Sequence, residues 1–402
     1  MTSTSLPRVR DPRLDFFRGV GMFIILIAHI TDNPWTLYIP ARFGFSDATE
    51  MFVFCSGMAS AIAFGAVFAR AGFVWGTLRI AYRVWQVYWV HVGVFLITTA
   101  AMLTLNATGA FQRDEVAALN LFPFVNSGGA NLIGLLTLTY VPNYFDILPM
   151  YLVILALIPG MVALSRIDPL LPVAASLALW LAANFGGLNL PAELWFEPAS
   201  ARKWFFNPFA WQLVFFTGFA LMSGWLPVPP VRRWLIWLAV AVVVLSVPFA
   251  WYKAIDASAF VQRWRADWLF LFDKTPFGIL RYVHFLALAY LAWVAVGPGG
   301  RRLSQGATMT RIVAGISAVG QQSLAVFATS MVLARILGAL RYQAGAGPLA
   351  TLAVNLAGFA AIIAVAALMR LIKRQPWTQP ARPVTRISTA TDTPVSADAV
   401  RT

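Results

Sequence analysis

The segment "LDFFRGVGMFIILIAHI" at residues 14–30 is an almost unbroken apolar run with an arginine near one end and a histidine at the other. Its length and composition predict a helix that crosses a membrane. Ionisable side chains are costly in a bilayer, and those that occur there usually face a cavity or a pathway. Arg18 and His29 therefore need an explanation beyond packing.

The spacing of these two residues predicts that they share one helix face. Eleven positions separate Arg18 from His29, which is three turns plus about 20°, or about 16 Å along the axis. Arg18 could simply extend to the lipid headgroups, and His29 could satisfy a buried hydrogen bond. For His29, which lies deep in the predicted span, we favour a functional role.

The whole chain has the composition of a polytopic membrane protein. Of its 402 residues, 59% are hydrophobic and 11% charged, whereas a soluble domain carries about a quarter charged residues. We predict an all-α fold in a lipid bilayer with about ten transmembrane helices. They lie near 16–36, 48–69, 84–105, 147–165, 170–184, 208–226, 234–252, 279–297, 315–338 and 348–370.

The basic residues indicate an orientation rather than a nucleic-acid partner. The net charge is +14, but Arg and Lys lie between apolar runs instead of on one soluble basic module. Their distribution predicts that both termini are cytoplasmic. We divide the chain into a cytoplasmic N-terminal segment (1–15), a transmembrane domain (16–370) and a disordered, Pro/Thr/Ser-rich cytoplasmic tail (371–402).

Further ionisable residues fall near the predicted level of His29. The helix that carries His284 enters the membrane from the outside, which places His284 at about the same depth as His29. The two histidines are therefore predicted to share a cavity, while His91 lies nearer the cytoplasmic edge and a structural role is favoured for it. Asp47 and Glu50 begin the second span. They form either a helix capping box or a carboxylate partner for a facing histidine, and the two interpretations are compatible. No metal-ligand cluster, phosphate loop or nucleophile elbow is present.

Several strings resemble known sequences. The Arg-x10-His pair resembles the signature of the membrane-bound acyltransferase-3 superfamily, and "EMFVFCSG" at 50–57 resembles its second-helix motif. Longer stretches resemble the OpgC family. These are "RDPRLDFFRG" (10–19), "NYFDILPMY" (143–151), "WFFNPFAWQ" (204–212), "DKTPFGILRYVHFLALAY" (273–290) and "QSLAVF" (322–327).

The OpgC resemblance implies a multi-pass protein of the bacterial inner membrane that succinylates osmoregulated periplasmic glucans. The expected donor is cytoplasmic succinyl-CoA, the expected acceptor is a periplasmic glucan hydroxyl, and no metal is expected. The phosphates of coenzyme A would be held by arginines at the inner mouth. The candidates are Arg18, Arg79, Arg83 and Arg311.

Within this expectation, His29 is the predicted general base, and Asp47, Glu50 and His284 complete the catalytic set. Arg281 is predicted to read the succinyl carboxylate, although it could instead pair with an acid such as Asp273. Sugar contacts are expected from aromatic and amide side chains, with interfacial anchoring as the alternative for the tryptophans. These residues are Trp195, Trp204, Asn207 and Trp211.

Other functions remain open at this point. The chain could transfer an acetyl or another acyl group to a different envelope polysaccharide, or it could transport a glycan or a solute. Transfer could be direct, or it could pass through an acyl-histidine at His29.

Overall fold

The computed structural model describes residues 11–109, 113–194 and 197–375. This part is built from α-helices and short 3-10 turns without any strand; two isolated bridges join Tyr140 to Glu193 and Pro191 to Lys203. The helices are α1 (Pro12–His29), α2 (Ala48–Ala107), α3 (Glu115–Ala118), α4 (Phe122–Asn126), α5 (Gly128–Leu136), α6 (Ile147–Ser165), α7 (Leu171–Phe185), α8 (Pro208–Ser223), α9 (Arg233–Ala250), α10 (Tyr252–Ala257), α11 (Ala259–Asp267), α12 (Ile279–Val296), α13 (Ala307–Gln321), α14 (Ser323–Gln343) and α15 (Pro348–Lys373).

Six helices of the described part are long and apolar enough to cross a membrane, namely α2, α6, α9, α12, α14 and α15. Helices α7 and α8 are apolar but shorter. The all-α membrane class is therefore confirmed. The number of ten spans, the cytoplasmic termini and the domain boundaries remain predictions, and residues 1–10 and 376–402 lie outside the described residues.

Helix α2 joins two of the predicted spans, 48–69 and 84–105. Its 60 residues are interrupted at Gly72, where φ is 86° and ψ is 178°. Glycine adopts this conformation without the steric cost that a side chain would impose. The chain bends sharply there, since Gly76 packs directly against the Phe68 ring. The interruption divides α2 into two arms.

Two of the predicted spans that contribute to the site differ from the observed helices. Helix α1 ends at His29 rather than near 36, because the following segment forms 3-10 turns that begin at Pro34 and Pro40, and proline cannot donate a helical hydrogen bond. The predicted span 315–338 is divided at Gln322, which separates α13 from α14.

Glycines let the central helices approach closely. A Cβ on Gly57 of α2 would lie 1.9 Å from the carbonyl oxygen of Phe215 on α8, and one on Gly218 would lie 2.3 Å from that of Phe54. Helices α1 and α13 cross in the same way at Gly19 and Gly320. The crossing at Gly19 and Gly320 holds α1, which carries Arg18 and His29, against α13.

Candidate active site

His29, the last residue of α1, presents a free ring nitrogen. Its Nδ1 lies 2.7 Å from the carbonyl oxygen of Ile25. A carbonyl only accepts, so Nδ1 carries the proton and Nε2 of the neutral ring holds the lone pair. Nε2 has no hydrogen-bond partner in the described part of the chain, and the side chain is half-buried. His29 is therefore oriented as a base with an accessible lone pair.

Tyr144 packs against the imidazole of His29. The ring centroids are 5.3 Å apart, with planes at 70°. The phenol donates a 2.5 Å hydrogen bond to the carbonyl of Met331, and the residue has a positive φ of 87°. Burial raises the pKa of Tyr144 above its ordinary value, so the phenol stays neutral and keeps its proton for this bond. Tyr144 thereby fixes one side of the histidine.

Asp47 and Glu50 form the predicted capping box of α2. The backbone N–H of Thr49 donates to the Asp47 carboxylate at 2.7 Å, and the N–H of Asp47 donates to Glu50 Oε2 at 2.8 Å. This part of the prediction is confirmed. The two carboxylates accept hydrogen bonds from backbone N–H groups at the start of α2 that would otherwise lack partners in a buried environment.

The same two carboxylates also pair with two cations. Lys274 Nζ lies 2.6 Å from Asp47, and the Arg281 guanidinium lies 2.6 Å from Glu50 and 3.3 Å from Asp47. Burial raises the pKa of Asp47, but the two cations outweigh burial and hold it well below its ordinary value. Asp47 and Lys274 both lie within electrostatic range of His29. We call Asp47, Glu50, Lys274 and Arg281 the ionic quartet.

His284 has the opposite tautomer to His29. The backbone N–H of Ser46 donates to His284 Nδ1 at 3.2 Å, and the Ser46 hydroxyl lies 2.7 Å from the same nitrogen. The proton of the neutral ring is therefore on Nε2. Nε2 is buried without a partner among the described residues and lies directly against Gly44. His284 is attached to the loop that precedes α2, close to the ionic quartet.

Both histidines take their orientation from groups other than the carboxylates: Ile25 orients His29, and Ser46 orients His284. One interpretation of the sequence was that Asp47 or Glu50 contacts a histidine. In the structure, the described hydrogen bonds of these two carboxylates involve backbone amides, Lys274 and Arg281. Of the two carboxylates, Asp47 acts on His29 at longer range.

Arg18 lies in the interior, on the same face of α1 as His29. It donates to the Ser323 hydroxyl, and its Nε is buried without a partner in the described region. Arg83, from the second arm of α2, lies within electrostatic range of it and donates to Gln86 at 3.3 Å. In the described part neither arginine has a carboxylate within salt-bridge distance. We call this region the Arg18 end and the region of the ionic quartet the His29 end.

The other two predicted phosphate ligands are on the surface. Arg79 is exposed, with its guanidinium carbon 5.7 Å from the centroid of the Tyr82 ring, and Arg311 of α13 is also exposed. The fold thus brings together Arg18 and Arg83 and leaves Arg79 and Arg311 outside this interior pair.

The predicted sugar contacts are packed inside the protein. Trp204 and Trp211 are almost fully buried, and Asn207 caps α8 by accepting from the N–H of Phe209. The indole of Trp211 donates to the Lys274 carbonyl at 2.9 Å. None of the three presents a free face to solvent in this structure, and Trp195 lies outside the described residues.

The sequence reasoning did not single out Lys274, Tyr144 or the pair Arg335–Glu115. Arg335 and Glu115 form a buried 2.5 Å ion pair, and Arg335 lies within electrostatic range of His29. Arg335 is a charged residue within the apolar helix α14, which is a signal that could have been recognised. Lys274 lies in a polar loop, where nothing local distinguishes it.

These features define an all-α, multi-pass membrane protein with ionisable groups along its interior. A family model described as OpgC protein matches residues 10–374, so the chain belongs to the OpgC family. No curated protein and no solved structure shows significant similarity to it. In the described part, no group of three or more His, Cys, Asp or Glu side chains is arranged to hold a metal ion.

Proposed function

We propose that this protein is a membrane-bound O-acyltransferase that moves a succinyl group from cytoplasmic succinyl-CoA to hydroxyl groups of a periplasmic glucan. The bacterial inner membrane is its proposed location. Membership of the OpgC family supports the reaction class. The observation that carries the proposal is the free Nε2 of His29 on the same helix as the interior Arg18.

The arrangement of α1 suits a reaction whose two substrates come from opposite sides. Arg18 and His29 are about 16 Å apart along the axis and on one face. At the Arg18 end, Arg18 and Arg83 offer positive charge to the phosphates of coenzyme A. The donor's pantetheine arm would extend along α1 and carry the thioester to His29.

In this mechanism His29 acts as the general base. Nε2 accepts the proton of the acceptor hydroxyl as its oxygen attacks the thioester carbonyl. The carbon–sulfur bond breaks, the ester forms, and the imidazolium returns the proton to the departing thiolate. The Ile25 carbonyl holds Nδ1–H throughout. Lys274 and Arg335 lie within electrostatic range of His29, where their positive charge would stabilise the oxyanion that develops beside it.

Purified protein in lipid nanodiscs, incubated with labelled succinyl-CoA and glucan, tests the proposal. We expect label in the glucan and release of one coenzyme A per ester formed. His29→Gln should lose the activity, and His91→Gln is the matched control because His91 is buried on α2 away from the hydrogen bonds of the site. Transport of intact glucan without ester formation would contradict the enzyme and favour a transporter.

A further inference from the structure

Hydrogen bonds from neighbouring helices fix the loop that carries Lys274. Four consecutive carbonyl groups, those of residues 274–277, each accept a hydrogen bond from α7, α8 or the residue that caps α8. The donors are Trp211 Nε1 to Lys274 at 2.9 Å, the Asn207 N–H to Thr275 at 3.4 Å, Asn184 Nδ2 to Pro276 at 2.8 Å and Trp180 Nε1 to Phe277 at 2.9 Å. The position of Lys274 is therefore set by the surrounding helices, as a preorganised binding group requires.

Lys274 and Asp47 form the accessible edge of the ionic quartet. The exposed fractions of their side chains are 28% and 17%, against 10% for Arg281 and 0% for Glu50. The ammonium has three donors, and its described hydrogen bond uses one of them, to Asp47 Oδ2. Each partner of this pair can thus make further hydrogen bonds to a ligand.

The charge balance indicates what kind of ligand fits there. Two cations and two carboxylates make the ionic quartet neutral, so a neutral ligand can bind without leaving a charge uncompensated. At the Arg18 end, by contrast, two arginines outnumber Asp15, the carboxylate that lies within electrostatic range of Arg18 in the described part. The two ends of α1 therefore match different ligands, an anion at Arg18 and a neutral polar molecule near His29.

From this asymmetry we propose that Lys274 and Asp47 form the acceptor subsite and bind a neutral polyhydroxylated molecule. Lys274 donates to one hydroxyl oxygen, Asp47 accepts from a neighbouring hydroxyl, and the reacting hydroxyl faces Nε2 of His29. The pairing of a donor with an acceptor matches adjacent hydroxyl groups of a sugar ring. The inference rests on the proposed function for the identity of the reaction, but the binding itself is a separate property.

Oligosaccharide binding measured in the absence of succinyl-CoA tests the subsite directly. The probe is a neutral glucose oligosaccharide, titrated by calorimetry into the full-length protein in nanodiscs. We expect Lys274→Met to weaken oligosaccharide binding at least ten-fold. Lys253→Met is the control and should leave this binding unchanged, because Lys253 is exposed and its ammonium lies 5.9 Å from the centroid of the Trp251 ring. In transfer assays Lys274→Met should raise KM for the glucan and leave KM for succinyl-CoA within about two-fold.

A second variant separates binding from folding. Lys274→Arg keeps the charge next to Asp47, so it should preserve the melting temperature and recover part of the oligosaccharide affinity. Equal affinity of wild type and Lys274→Met would overturn the subsite, as would tighter binding of an anionic than of a neutral oligosaccharide. If oligosaccharide binding depends on Lys274 but no acyl transfer occurs, the proposed function fails and the subsite stands. If acyl transfer occurs and is unchanged in Lys274→Met, the subsite fails and the proposed function stands.

Discussion

The imidazole of His29 meets the ring of Tyr144 edge to face, 5.3 Å between centroids, and the Tyr144 phenol is itself tied to the Met331 carbonyl. A residue of α1 is thus positioned by the loop before α6 and by the backbone of α14. With Nδ1 held by Ile25 and the ring held by Tyr144, the free Nε2 has one fixed direction. This is the preorganisation that a general base needs.

Replacing His29 should remove the chemical step and spare donor binding. We expect His29→Ala to lower kcat by about 10²–10⁴-fold, as is typical for loss of a general base, with the dissociation constant of succinyl-CoA within about three-fold of wild type. Single-turnover transfer and equilibrium donor binding measure the two effects. A variant that kept a tenth of wild-type turnover would disprove the base assignment.

Tyr144 is expected to act by positioning His29. Tyr144→Phe loses one hydrogen bond, worth about 0.5–1.5 kcal/mol, but keeps the ring, so its kcat should fall by no more than about ten-fold. Tyr144→Leu also loses the ring contact and should fall further, with KM for both substrates little changed. The kcat and KM of both variants test this order, and equal activity of the Leu variant and wild type would contradict it.

Arg18 should contribute to donor affinity. Arg18→Ala removes an interior cation, and we expect binding of succinyl-CoA to weaken by about ten-fold or more. Arg311→Ala is the comparison, because Arg311 is exposed and its charge is screened by solvent and salt. Donor titration of the two variants should show the larger loss for Arg18, whereas a larger loss for Arg311 would place the phosphates elsewhere.

Arg281 has a structural role, because it pairs with the buried Glu50. Its predicted role in recognising the succinyl carboxylate has to be separated from this one. Arg281→Gln leaves the buried Glu50 without its partner, which should cost about 3–5 kcal/mol of stability. The double variant Arg281→Gln/Glu50→Gln restores neutrality and should recover most of the melting temperature. If Arg281 also reads the carboxylate, the double variant loses its preference for succinyl-CoA over acetyl-CoA; equal losses with both donors would reject that role.

Asp146 should make stability depend on pH. Burial raises the pKa of Asp146 to about 6, against about 3.9 in an unfolded chain. Between these values the folded protein retains a proton that the unfolded chain has released, so stability falls as pH rises through this window. Asp146→Asn removes the ionisation and should stabilise by about 1–3 kcal/mol above about pH 7 and by little near pH 4. Thermal unfolding at both pH values measures the difference, and a pH-independent difference would argue against the raised pKa.

Local sequence patterns are enough to predict the membrane class, most helix positions and the shared face of Arg18 and His29. Helix α6 coincides with the predicted 147–165, and α15 begins at the predicted residue 348. These features follow from local rules, since apolar runs form spanning helices and the helical period places residues eleven apart on one face. The capping box of Asp47 and Glu50 is equally local.

Which groups meet around His29 depends on how the helices pack in three dimensions. Lys274 and Asp47 are 227 positions apart, and Arg335 and Glu115 are 220 apart, so no periodic pattern links them. Arg281 carries the charge that the sequence suggested for a substrate contact, yet the fold pairs it with Glu50 and Asp47. Trp211 is buried and holds the Lys274 loop instead of facing solvent. The physical reason is that a buried charge must find its partner wherever helix packing brings one, and packing depends on the whole bundle rather than on neighbouring residues.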